Sequence, residues 1–182
     1  MLEFDLDLSR LYAVMDELEP TEKQIKLAMN RALNRTAATL RRLSASGLKA
    51  ELDLRAVGLL KKRLKSLKLK SGGIDTVRLW YGINGMPVSW FKGTASQTAT
   101  GAKYKDQEFE GGFVAKSAVK GRKTVFKRKA NGRLPLVEQL MPVRDKAEVF
   151  VEDEIFVKLE DIFWPIFVRD LKARVRFKIG GA

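Results

Sequence analysis

The acidic runs Glu152-Asp153-Glu154 and Glu160-Asp161 place neighbouring carboxylates of the kind that hold Mg²⁺ in nucleases. Adjacent residues on a helix point to different faces and cannot share one ion, so these runs predict solvated helix positions rather than a metal site. Ser71-Gly72-Gly73 and Gly111-Gly112 lack the spacing, and the following Lys-Ser or Lys-Thr, of a phosphate-binding loop. The serines have no imidazole to activate them, because the 182-residue chain has no His, and with no Cys there is no thiolate either. No catalytic residue, metal or cofactor follows from these patterns. The expected activity is binding, and the expected class is not an enzyme.

What remains is positive charge. The chain has 35 Lys and Arg against 22 Asp and Glu, a formal net charge of +13. From Arg31 to Lys70, twelve bases face two acids, Glu51 and Asp53, so +10 of that total lies in one stretch. Within it Arg31, Arg35 and Arg42 fall on one side of a helical pattern. Ile25, Met29, Ala32, Leu33, Thr36, Leu40 and Leu43 occupy a different arc of about 100°. One face packs and the other meets something negative. Lys61, Lys62 and Arg63 extend the basic stretch, and Lys120, Arg122, Lys123, Lys127 and Arg128 form a second one. Together these residues are the candidate face for nucleic acid or an acidic partner. A helix-turn-helix over Leu40 to Lys65 is conceivable, but the Gly47 to Asp53 link is longer than the usual turn and no base-reading face emerges. Phe126 is the aromatic residue of the second stretch, while Trp80 and Trp90 lie in more neutral strands. Base stacking is therefore not the expected mode, and sequence-independent contact with phosphates is.

Acidity is concentrated elsewhere. Residues 1 to 20 hold six acids against Arg10 alone, whereas residues 103 to 133 hold ten bases against three acids. A bipolar chain can stack head to tail on copies of itself or on a partner of opposite sign. Asp5 and Asp7, with Phe163 and Phe167 of the apolar C-terminal stretch, are the candidate subunit interface.

Leu6, Leu8, Leu11, Val14 and Leu18 predict a short strand and then a helical turn. Thr21 as N-cap and Gln24 in the capping-box position predict a helix start, with the helix running to about Ser46 and Gly47 ending it. A second helix is expected from near Asp53, carrying Val57, Leu60 and Leu64, before a loop from Lys68 to Gly73. Thr76 to Ile83 alternates as a strand, and Asn84-Gly85 is a turn signal before Pro87 to Phe91. Residues 93 to 112 read as a long mobile loop. Gly112 to Lys116 and Thr124 to Arg128 read as a hairpin, and Leu134 to Val137 as a last short strand. In the helical C-terminal third, Ile155, Leu159, Ile162 and Ile166 form a stripe widened by Phe156, Phe163 and Phe167. Pro165 either kinks that helix or opens a new one. No window has the roughly 18 apolar residues of a membrane span, and Met1 to Arg10 is acidic where a signal peptide is basic and then apolar, so use in a cytoplasm is expected. The expected class is α+β: an N-terminal helical pair, a small antiparallel sheet with a protruding basic hairpin, and a C-terminal helix packed on the sheet. The expected organisation is an acidic extension over 1–20 and a single domain over 21–182.

Leu27-Ala28-Met29-Asn30-Arg31-Ala32 opens a helix that continues through small polar residues to Ser46 and on to the basic Leu59-Leu60-Lys61-Lys62-Arg63-Leu64. Gly112-Phe113-Val114-Ala115, Val125-Phe126-Lys127-Arg128, Arg133-Leu134-Pro135-Leu136, Pro142 and the C-terminal helix follow. In this order and spacing the chain, over residues 25 to 175, resembles the minor tail protein Z family of lambda-like tailed phages, also described as tail completion proteins and akin to other head-tail joining proteins. The opening segment is similar to that family's Ala-x-Asn-Arg helix. The resemblance implies a virion protein at the head-proximal end of the tail, assembled in the host bacterial cytoplasm. It would form or cap a ring of its own copies through which the genome passes. Implied neighbours are the tail terminator, tail tube or head-completion proteins and double-stranded DNA. The resemblance brings no catalytic residues, and residues 1 to 24 and 93 to 111 look longer than its pattern. From another class, the alternative is a sequence-independent DNA-binding protein acting outside a virion.

Overall fold

The computed structural model describes residues 8–69, 76–117, 121–129 and 134–180. Helices α1 (Leu8–Leu18) and α2 (Glu22–Glu51) lead into strands β1 (Leu64–Leu69), β2 (Thr76–Tyr81) and β3 (Met86–Pro87). There follow β4 (Ser96–Gln97), β5 (Gly101–Tyr104), β6 (Gln107–Glu110), β7 (Phe113–Lys116), β8 (Lys123–Arg128), β9 (Leu136–Glu138) and β10 (Leu140–Met141), then helices α3 (Arg144–Phe150) and α4 (Leu159–Arg176). The class is α+β, with helices at the N-terminal side, several small antiparallel sheets and a C-terminal helix. The stretch expected as one domain is divided between two compact units, one holding the described residues of 1–44, 64–80 and 152–182, the other 45–63 and 81–151.

The first unit is built on helix packing. The capping box forms as expected: Gln24 N–H donates to Thr21 Oγ1 at 3.3 Å, and Thr21 N–H donates to Gln24 Oε1 at 3.0 Å. Gln24 Nε2 also donates to the Arg174 carbonyl at 3.1 Å, which ties the start of α2 to the end of α4. Ala28, Met29 and Ala32 of α2 are buried against Phe163, Trp164, Phe167 and Leu171 of α4. The two alanines are small enough for the large rings opposite. Phe163, Trp164 and Phe167 lie with centroids 5.3 to 5.9 Å apart in stacked and edge-on pairs, a geometry that adds to the apolar burial. Leu11, Val14 and Leu18 of α1 are partly buried and pack against the same cluster, so one side of α1 covers the core while Tyr12, Asp16 and Glu17 stay exposed. Phe163 and Phe167, expected at a subunit interface, are 0% exposed and belong to this core. Asp5 and Asp7, the other half of that expectation, lie outside the described residues. Pro165 stands exposed inside α4, where its missing N–H leaves one turn unbonded.

The second unit is mostly sheet, and here expectation and structure part more often. α2 does not end at Gly47. A Cβ there would lie 2.4 Å from the Phe150 ring of α3, so glycine is present for close approach and the helix runs through it. The expected second helix is a single 3-10 turn, Val57–Leu60, followed by β1 of the first unit, which pairs with β2. β2 is rich in residues that fit a pleated sheet, and this partner overrides the helical leaning of the Lys-Leu sequence. Asn84-Gly85 does not close a hairpin: Arg63 Nη1 donates to the carbonyls of Gly82 and Asn84 at 3.0 and 3.3 Å, and β3 pairs with the distant β10. Residues 93 to 112 are not a loop but the three-stranded meander β4-β5-β6. The hairpin β7-β8 forms as expected, and the last strand, at Leu136–Glu138 rather than Leu134 to Val137, pairs with β8 to make the other three-stranded sheet, with Phe113 opposite Phe126 and Phe126 opposite Glu138.

Candidate functional site

A clamp of residues around Asp53 holds the meander. Asp53, in the left-handed region at φ 55°, lies just past α2. Its carboxylate binds Lys105 Nζ at 2.9 Å and Lys92 Nζ at 3.3 Å, and its carbonyl accepts the Lys92 N–H at 3.0 Å. The hydrogen bond from Lys105, then that from Lys92, holds the Asp53 carboxyl below its ordinary value. Tyr104 donates its hydroxyl to the Lys92 carbonyl and packs its ring against Phe91, and burial pushes its hydroxyl pKa up. Two lysines are therefore consumed internally, and the clamp is structural.

The candidate cations separate into three states. Arg31 is half exposed but ion-paired: its Nη1 lies 3.0 Å from Asp170, which also binds Arg174 Nε at 2.7 Å with both partners only 13% exposed. A carboxylate so placed cancels much of Arg31's attraction for an outside anion. Arg63, with two carbonyl acceptors and its guanidinium 4.9 Å from the Trp90 ring centroid, is likewise a structural cation. Arg35, Arg42, Lys61, Lys62, Arg122, Lys123, Lys127 and Arg128 are exposed and, among the described residues, pair with no carboxylate. Lys120 lies outside the described residues.

The structure brings the hairpin cations together and adds one that the sequence reading passed over. Lys116 of β7 is the register partner of Lys123 of β8, and both are exposed. Beyond that pair the Ser117 N–H donates to the Arg122 carbonyl at 2.7 Å, so Arg122 closes the same end of the ladder. Like charges directly opposed across two strands oppose pairing. The hairpin is held instead nearer its base: Thr124 is fully buried and donates its hydroxyl to Glu138 Oε1 at 2.6 Å, while Val125 is buried beside it. Arg128 lies over the Phe113 ring at 5.8 Å. The missed signal for Lys116 was its position, four residues after Gly112 on a strand whose partner begins with another lysine. Pairing register is not visible in the residues themselves.

The acidic residues do not converge. Glu152, Asp153 and Glu154 are exposed on a π-helical turn, Glu154 pairs with Lys158 at 3.7 Å, and no group of three carboxylates among the described residues is arranged for a metal. On α1, Asp16 is exposed and Glu17 pairs with Lys172 at 3.2 Å. No described helix is long and apolar enough to cross a membrane. No family model, curated protein or solved structure matches this chain.

Proposed function

We propose that this chain is a structural tail-completion protein of a tailed phage or prophage, acting at the head-proximal end of the tail by binding rather than catalysis. Copies associate with one another or dock on a neighbouring ring, and exposed cations face the genome or an acidic protein surface. The observation that supports this best is the hairpin end, where Lys116 opposes Lys123 beside Arg122 with no carboxylate among the described residues to relieve them. A fold that keeps an unrelieved like-charge pair at the end of a ladder loses stability there, and an anion bound outside the fold offsets the loss. The segment order given above, from the Ala-x-Asn-Arg-like helix to the C-terminal helix, supports the virion setting.

The same exposed cations favour a second reading, a sequence-independent DNA-binding protein outside any virion. Complementation separates the two. Lys116→Glu with Lys123→Glu should fold normally and fail to restore infectious tails to a phage lacking the gene. Restoration at wild-type titre overturns the assigned role of the hairpin. A gene whose loss leaves tails complete, in a chain that still binds DNA, selects the second reading.

A further inference from the structure

The β1-β2 pair of the first unit sets an exposed aromatic ring among cations. Side chains alternate along β2: Val77 and Leu79 are half-buried, whereas Arg78 and Trp80 occupy the other, exposed face. Trp80 keeps 47% of its surface accessible, in a unit whose core fully buries Trp164. Across the pair, Lys65 of β1 holds its Nζ 5.6 Å from the centre of the Trp80 ring. Ser66, the next residue of β1, points to the opposite face, where Arg41 of α2 donates to its Oγ at 3.5 Å. The strands contain no Asp or Glu, and no carboxylate among the described residues pairs with Lys65 or Arg78.

We propose that the exposed face of β1-β2, centred on Trp80, binds single-stranded nucleic acid. A ring and its flanking cations call for a partner with flat apolar faces and a regular negative charge, and an unpaired strand presents both on every nucleotide. A duplex offers the phosphates, but its bases are stacked inside and leave Trp80 unused. An acidic peptide offers charge without rings. An anionic membrane surface takes up Trp where apolar neighbours enter with it, whereas the neighbours of Trp80 on this face are Arg78 and Lys65. Lys65 and Arg78 would hold phosphates on either side of a base stacked on Trp80. The inference goes beyond the proposed function: it needs neither a virion nor a ring, and its failure leaves the reading of the hairpin intact.

The test uses the full chain with labelled oligo(dT), a duplex of equal length and phosphatidylserine vesicles as probes. Oligo(dT) should quench the tryptophan fluorescence of the wild type. Trp80→Ala should weaken oligo(dT) binding about 5- to 150-fold, the range for losing one stacked base, while duplex affinity changes less than about twofold. Trp80→Phe should recover most of the loss, and circular dichroism of both variants checks that the fold is retained. No binding of oligo(dT) by the wild type at low salt overturns the inference. So does an equal loss for single strand and duplex, or an unchanged single-strand affinity in Trp80→Ala. Vesicle binding that depends on Trp80 while oligo(dT) binding does not assigns the face to a membrane and overturns it as well.

Discussion

Single residues decide several of these arguments, and two make opposite demands on the same helix. Ala is the better helix former, so Gly47→Ala in an exposed helix gains up to about 1 kcal/mol. Here the added Cβ meets the Phe150 ring at 2.4 Å. The expected outcome is a loss of about 1–3 kcal/mol, as for overpacked cores, read from the midpoint of urea unfolding. A gain would show that Phe150 swings aside at no cost. On the other face of α2, Arg31 must be separated from Arg35 and Arg42. Arg35→Glu with Arg42→Glu should change stability by less than about 1 kcal/mol, because exposed unpaired charges contribute little. Arg31→Glu sets a carboxylate against Asp170 and should cost clearly more than either of the others alone, with Arg31→Met intermediate. Equal effects of the three reversals would mean that the Asp170 pair is not formed in solution.

At the scale of elements, the long segments with strong local signals were legible and the short, distantly paired ones were not. The capping box of Thr21 and Gln24 and the stripe through Met29, Ala32 and Leu40 announce α2 because all the information lies within a turn or two. The β7-β8 hairpin reads from its alternation. By contrast β5 and β6 join through Lys105-Asp106, a turn without the Asn-Gly chemistry that marks a hairpin. Their anchor, Asp53, stands 52 residues before Lys105. Conversely, Asn84-Gly85 is a strong turn signal spent on satisfying Arg63. The basic face was legible as a list of residues but not as a site, since Asp170 removes Arg31 from it and only pairing register brings Lys116 in. The Asp53 clamp carries its own prediction. A carboxyl whose pKa is lowered by folding contributes stability that is present above the ordinary carboxylate pKa of about 4 and is lost as the pH falls through the lowered value. The urea midpoint should therefore fall below about pH 4, and Asp53→Asn should remove that part of the acid dependence. An Asp53→Asn variant with an unchanged acid profile would show that other carboxylates carry it.

For the molecule as a whole, net charge is the property that acts at a distance, and it yields a prediction that counts cations rather than naming them. Each unit presents its own unrelieved set: Arg35, Arg41 and Arg42 with Lys65 and Arg78 in the first, Lys116, Arg122, Lys123, Lys127 and Arg128 in the second. Cations that neutralise phosphates release counterions, so the logarithm of duplex affinity should fall linearly with the logarithm of salt concentration, by about 0.9 per phosphate contacted. Lys116→Glu with Lys123→Glu should lower that slope by about 2 if both lysines touch the duplex. Arg35→Glu with Arg42→Glu should do the same, and the combined variant by the sum if both sets engage DNA at once. If one set works alone, the other pair of reversals leaves the slope where it was, and the combined variant matches the single one. In both cases the affinity should vary little among duplex sequences, because contacts to phosphate position a protein on the duplex without carrying sequence information. A preferred duplex surviving at about 200 mM salt, where phosphate-driven binding of this kind is already lost, would require a reading surface that neither set of cations supplies.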